Sequence, residues 1–109
     1  MAVPADPPPI LEIHETLEPT GVRLRLAGEL DVAVVGRLQD RLRSLAREGE
    51  SVRLDLSELS FIDSSGLNAI ITAFRGARRD GRELQIEPTL SPPVHKVITM
   101  MGLDEVFWS

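Results

Sequence analysis

Cysteine and tyrosine are absent from this chain, and its 109 residues include one tryptophan and three phenylalanines. Without cysteine there is no disulfide framework, no thiolate metal site and no thiol nucleophile, a composition compatible with a reducing compartment. The shortage of aromatic rings removes the stacking platforms that single-stranded nucleic acids use. Positive charge is short as well: 12 basic against 17 acidic residues leave a net charge of -5, which opposes polyanion binding through bulk charge. No apolar run approaches the roughly 20 residues of a membrane helix, and the opening MAVPADPPP has neither a basic n-region nor an apolar h-region. The expectation is a cytoplasmic protein that contacts no membrane and, directly, no nucleic acid.

Signatures of catalysis are missing too. Neither the G-x-S-x-G elbow of serine hydrolases, nor the phosphate loop G-x-x-x-x-G-K-[ST], nor G-x-G-x-x-G occurs. His14 falls on a predicted edge hairpin and His95 in a predicted third helix, so neither is placed to serve as the base of a triad. The sequence points to no enzyme, no cofactor and no metal.

What is present makes a packed core: hydrophobic residues are 42% and charged ones 27% of the chain. Pro4, Pro7, Pro8 and Pro9 favour extended polyproline geometry, so residues 1–9 read as a flexible proline-rich tail ahead of a single domain over 10–109. Leu11 and Ile13, then Val22, Leu24 and Leu26, alternate with polar neighbours and predict an antiparallel hairpin joined through LEPTG. From Asp31 to about Glu48 the period changes to that of an amphipathic helix, with Val35, Leu38, Leu42 and Leu45 on its apolar stripe and Gly49 at its end. Val52, Leu54 and Leu56 mark a third strand, and SELSFID reads as a loop leading to a second helix striped by Leu67, Ile70, Ile71, Phe74 and Ala77. Leu84 and Ile86 give a short strand. Ser91 with Pro92 starts a third helix, striped by Val94, Val97, Ile98 and Met101 and closed by Gly102 and Leu103. Val106, Phe107 and Trp108 add a last strand or a plug. The expected fold is α/β: a mixed sheet of four to five strands, with an N-terminal antiparallel hairpin and three amphipathic helices mainly on one face.

The stretch Phe61-Ile62-Asp63-Ser64-Ser65-Gly66-Leu67 stands apart, because small hydroxyls sit where the second helix starts. Ser64 or Ser65 at the N-cap or first turn could satisfy orphan N–H groups. The same free N–H groups and the positive end of the helix dipole also suit a serine-borne phosphoryl group, so one residue can serve both purposes. Asp63, Asp31, Asp55 and Glu29 could gather at the carboxyl ends of strands, or serve as caps. Arg75, Arg78, Arg79 and Arg82 form the densest basic cluster. They read as a solvated helix end complementing the dipole, with a docking surface for an acidic partner as the second reading.

Gly28-Glu29-Leu30-Asp31, Val52-Arg53-Leu54-Asp55-Leu56-Ser57 ahead of the Asp63-Ser64-Ser65-Gly66 stretch, and Ser91-Pro92 leading to Met101-Gly102-Leu103 together resemble the STAS domain, specifically the anti-sigma factor antagonists. The resemblance runs from about Leu11 to Phe107. It implies a domain that binds an anti-sigma factor serine kinase, frees a sigma factor, and is switched off when the kinase phosphorylates it. By position, Ser64 matches the phosphoacceptor, Ser65 the neighbouring hydroxyl and Asp31 an acidic residue near it. Asn68 stands where many relatives have glycine. Asp31, Asp63, Ser65, Gly66 and Asn68 form the expected partner-binding set. The alternatives are a non-switching module on the same fold, such as a stress-assembly scaffold subunit or an accessory domain of a membrane lipid or anion transport system, and a small enzyme using Asp63 and Ser64.

Overall fold

Period-two alternation builds the sheet, and helical stripes cover one side of it. The computed structural model describes residues 11–108. The expected proline tail over 1–9 lies outside them. The elements are β1 (Leu11–Glu18), β2 (Gly21–Leu30), α1 (Val35–Arg47), β3 (Val52–Ile62), α2 (Ser64–Arg79), β4 (Leu84–Ile86), α3 (Pro92–Met100) and α4 (Asp104–Trp108). The strands lie in the order β1-β2-β3-β4, antiparallel at the β1–β2 hairpin and parallel elsewhere. Val22, Leu24 and Leu26 of β2 and Val52, Leu54 and Leu56 of β3 are buried. They join Leu38, Leu42 and Leu45 of α1, Leu67, Ile70 and Phe74 of α2, and Val94 and Ile98 of α3 in a single core cluster.

The opposite side of the sheet carries charge. Arg23 donates to Asp55 and Glu87, Arg53 to Glu18, and Arg25 to Glu58, a set of cross-strand ion pairs. Asp55 is 5% exposed, the one buried charged residue among those described. Burial alone would raise its carboxyl, but hydrogen bonds from Ser57 and the charges of Arg23 and Arg25 outweigh this and hold it below the ordinary carboxylate range.

Several expectations change. SELSFID is not a loop: β3 continues through it to Ile62, and only Asp63 separates the strand from α2. Its alternation is broken because β3 carries two extra residues opposite β2. Arg25 pairs with Asp55 and Leu30 with Ile62, with register shifts between. Such bulges turn the strand, so burial moves from Leu54 and Leu56 to Leu59 and Ile62. Helix α1 starts at Val35, after a turn over 32–34 that Asp31 initiates. The chain end is the helix α4, not a strand. Phe107 plugs the core edge-on against Phe74, centroids 5.3 Å apart, and Trp108 donates its indole N–H to the Ile86 carbonyl. Met101 leaves the α3 stripe and is 62% exposed, because it is already the C-cap residue. Gly102 and Leu103 do close α3 as expected: Gly102 is left-handed at φ 66°, its N–H reaches Thr99, and that of Leu103 reaches Ile98.

Candidate functional site

The site is built where β2 and β3 end side by side. Leu30 pairs with Ile62, so the parallel strands deliver Asp31 and Asp63 to the same end of the sheet. The two extra residues in β3 set this level. The Asp63 N–H donates to the Leu30 carbonyl at 3.2 Å, fixing the strand ends to each other.

Asp63 occupies the N-cap of α2, with an extended backbone at φ -108° and ψ -176°. Its Oδ1 accepts from the Gly66 N–H at 3.0 Å, satisfying an orphan donor of the first turn. Its Oδ2 accepts from the Val32 N–H at 3.2 Å, across to the loop after β2. One carboxylate thus caps the helix and staples the loop to it. Asp31 shapes that loop from the other side: its Oδ1 accepts from Ala33 at 2.9 Å, and its carbonyl accepts from Val34 and Val35.

This arrangement separates the two uses open to the serines. The capping oxygen belongs to Asp63, so Ser64, the first helical residue, keeps its hydroxyl out of the cap. Ser64 is exposed, and no hydrogen bond to its hydroxyl is formed among the described residues. Ser65 beside it is half-buried, and Asn68, one turn further along α2, is exposed. Gly66 behaves differently, for it is buried under the helix start. A Cβ there would lie 2.7 Å from Leu30 Cγ and 3.0 Å from Ile62 Cγ1, so only glycine lets α2 sit this close to the strand ends. No direct bond joins the Asp31 and Ser64 side chains among the described residues; the hydrogen bond there is between their chain neighbours, Val32 and Asp63.

Two apolar side chains beside the site were not in the expected partner-binding set. Val32, on the stapled loop, is 72% exposed, and Phe61, at the end of β3, is 45% exposed. The signal for Val32 was an apolar residue out of phase with the helical stripe that follows it. For Phe61 it was the broken alternation of β3. Asp55 does not join the site, being held in the ion pairs on the open side of the sheet. Among the described residues no group of three or more His, Cys, Asp or Glu is placed to hold a metal. His14 lies on β1 against Glu12 at 3.0 Å, and His95 is exposed on α3.

The family model described as the Mlab, STAS domain matches residues 13–107. The chain belongs to the STAS domain family. This STAS domain is 34% identical over 85 residues to the anti-sigma F factor antagonist of Paenibacillus polymyxa, covering 76% of this chain and 72% of that protein. It is 29% identical over 85 residues to the anti-sigma-B factor antagonist of Bacillus subtilis, covering 78% of this chain and 77% of that protein. Among solved structures it resembles the unphosphorylated Bacillus anti-sigma factor antagonist SpoIIAA, with a TM-score of 0.74 and 25% identity over 86% of this chain and 84% of that one. The phosphorylated form of that protein shares the fold, with a TM-score of 0.67, 24% identity and coverage of 87% and 86%. The mixed sheet with its antiparallel hairpin is the STAS fold expected from the sequence. Among the described residues, no helix is long and apolar enough to cross a membrane.

Proposed function

We propose that this STAS domain is an anti-sigma factor antagonist acting in the cytoplasm. Unphosphorylated, it binds an anti-sigma factor serine kinase and releases the sigma factor the kinase holds; phosphorylation of Ser64 ends that complex. The observation that carries this reading is the exposed Ser64 hydroxyl at the start of α2, left free because Asp63 supplies the cap. The domain is the substrate of the transfer and the partner supplies the ATP site, so no catalytic group of its own is required. In the transfer, the Ser64 Oγ takes the γ-phosphoryl group of ATP, its proton passes to a base of the kinase, and ADP leaves.

The partner-facing surface comprises Ser64, Ser65, Asn68, Asp31 and Asp63, flanked by the exposed Val32 and Phe61. Gly66 contributes from beneath, by holding the helix start at its height. A phosphate adds about -1.5 to -2 charges, taking the net charge from -5 to roughly -7 at one spot. At a helix N-terminus it gains about 0.3 to 1 kcal/mol, reduced here by the neighbouring Asp63 and Asp31 carboxylates. The fold therefore tolerates the modification. Against a partner surface shaped for a neutral hydroxyl, the same anion brings desolvation and like-charge costs of several kcal/mol. About 4 kcal/mol is a thousandfold in affinity, so the effect falls on binding and not on folding.

Incubation with the cognate kinase and ATP, followed by mass-spectrometric mapping, tests the reading. One phosphate per chain, on Ser64 and abolished in Ser64→Ala, is expected. Kinase binding with no phosphate on Ser64 would leave the domain a non-switching interaction module, and turnover of a substrate without any partner would make it an enzyme.

A further inference from the structure

Between α1 and α2, running from Asn68 one turn beyond Ser64 to Asp80, a groove of about 300 Å³ remains, floored by β3 and β4. Leu42 and Ala46 of α1, Ala69 and Ala73 of α2, and Val52 and Leu84 of the sheet line its depth. These are apolar groups, and the small ones on α2 leave the room. Gln39, Asn68 and Thr72 are its neutral polar members, and its charged ones are Arg43, Arg79 and Arg82 against one acid, Asp80.

The arginines are not equivalent. Arg43 is paired with Asp40 at 3.3 Å, and both side chains are well exposed. Arg82 is 13% exposed and reaches the Glu50 carbonyl and the exposed Asp80 at 3.2 and 3.3 Å, while its Nε has no acceptor. Arg79 has no carboxylate partner among the described residues. Its guanidinium folds back over the helix instead, with Nη2 3.7 Å from where a Cβ of Gly76 would stand, and it lines the groove. Among the described residues Arg37, Arg47, Arg75 and Arg78 also lack a carboxylate partner, but of these arginines without one Arg79 is the one that lines the apolar groove.

We propose that this groove is a binding site for a small aliphatic carboxylate, its chain lying between the alanine-lined helix walls and its head group on Arg79 and the exposed edge of Arg82. An apolar slot with a few convergent polar groups is the usual form of a small-molecule site, and its size suits a short chain. A guanidinium presents paired donors that match a carboxylate, and the interaction strengthens where one side is shielded from water by the slot. The groove shares Asn68 with the partner-facing surface but does not include Ser64, and the proposal does not depend on the reading given to that residue.

The probes are octanoate, octylammonium and acetate, added below micellar concentrations to the full-length 15N-labelled chain while amide shifts are followed. Octanoate is expected to move the amides of Ala46, Ala73, Gly76 and Arg79 saturably. Acetate lacks the chain and octylammonium has the wrong charge, so each is expected to bind at least about tenfold more weakly. Arg79→Glu, on an exposed side chain, is expected to keep the melting temperature, lose the octanoate response and gain one to octylammonium. Ala73→Leu, which fills the slot, is expected to block both. Equal responses to octanoate and octylammonium, shifts outside the groove, or no saturable shift with octanoate would overturn the proposal. Phosphorylation of Ser64 by the kinase, measured on the same variants, reports independently on the other site.

Discussion

The open side of the sheet and the corner at the start of α2 use polar residues in opposite ways. On the sheet, Arg23, Arg25 and Arg53 are matched by Asp55, Glu58, Glu87 and Glu18, and the buried Asp55 also takes the Ser57 N–H. Every one of these charges has an acceptor or donor within the chain, and little is left to offer a partner. At the corner, the Asp63 carboxylate is consumed internally while Ser64, Asn68, Val32 and Phe61 remain open to solvent. Charge density is thus a poor guide to the site in this molecule. The informative quantity is which polar groups remain uncommitted after the fold has taken those it needs.

Substitutions can break this comparison or sharpen it. The largest effect on stability is expected from Gly66→Val, which belongs to the corner by sequence but to the core by position. Overpacking against Leu30 and Ile62 should cost about 1 to 3 kcal/mol, seen as a fall of at least about 4 °C in melting temperature. An unchanged melting temperature would show that α2 can lift off the strand ends without penalty.

Asp55→Asn comes next. It leaves the partly buried Arg23 with Glu87 as its remaining carboxylate, a loss of about 1 to 2 kcal/mol in chemical denaturation, while affinity for the kinase stays as in the wild type. The pH dependence has a defined sign. The folded Asp55 carboxyl lies below its ordinary value, so its contribution is full above the ordinary carboxylate pKa of about 3.9 and is lost as pH falls through the folded value. Wild-type stability should therefore fall more steeply in acid than that of Asp55→Asn. Parallel curves would remove Asp55 from the acid response.

Asp63→Ala should show both kinds of behaviour at once. Loss of the cap costs about 1 kcal/mol, and release of the 31–34 loop should weaken kinase binding beyond what that stability change explains. Full affinity would make the staple to Val32 irrelevant to recognition. Arg25→Ala, which removes an exposed pair with Glu58, should change stability by less than about 0.5 kcal/mol and binding not at all. A larger effect would mean that the open sheet surface is itself an interface.

The same contrast explains what could be read from the chain alone. Strands and helices with undisturbed periodicity, such as β2 at Val22, Leu24 and Leu26 or α1 at Leu38, Leu42 and Leu45, were legible because one rule, burial on one side, set every residue. The second half of β3 was not, since its bulges break the period that reveals a strand, and a strand came to look like a loop. At the chain end, Val106-Phe107-Trp108 has strand composition, but the packing of Phe107 on Phe74 and the Asp104–Glu105 start favour a short helix. At the site, the stretch Asp63-Ser64-Ser65 was recognisable, whereas the division of labour within it was not. Which of three neighbouring oxygens caps the helix depends on the extended backbone at Asp63 and on a loop more than thirty residues earlier.

The most direct test of the central claim compares the unmodified chain with its Ser64-phosphorylated form, or with Ser64→Asp, in calorimetric titration against the cognate kinase, with melting temperature recorded on the same samples. The expected result is a loss of affinity of at least about a hundredfold, or about 2.7 kcal/mol, with the melting temperature essentially unchanged. Equal affinity, or a loss of affinity accompanied by unfolding, would contradict a binding switch centred on the Ser64 hydroxyl.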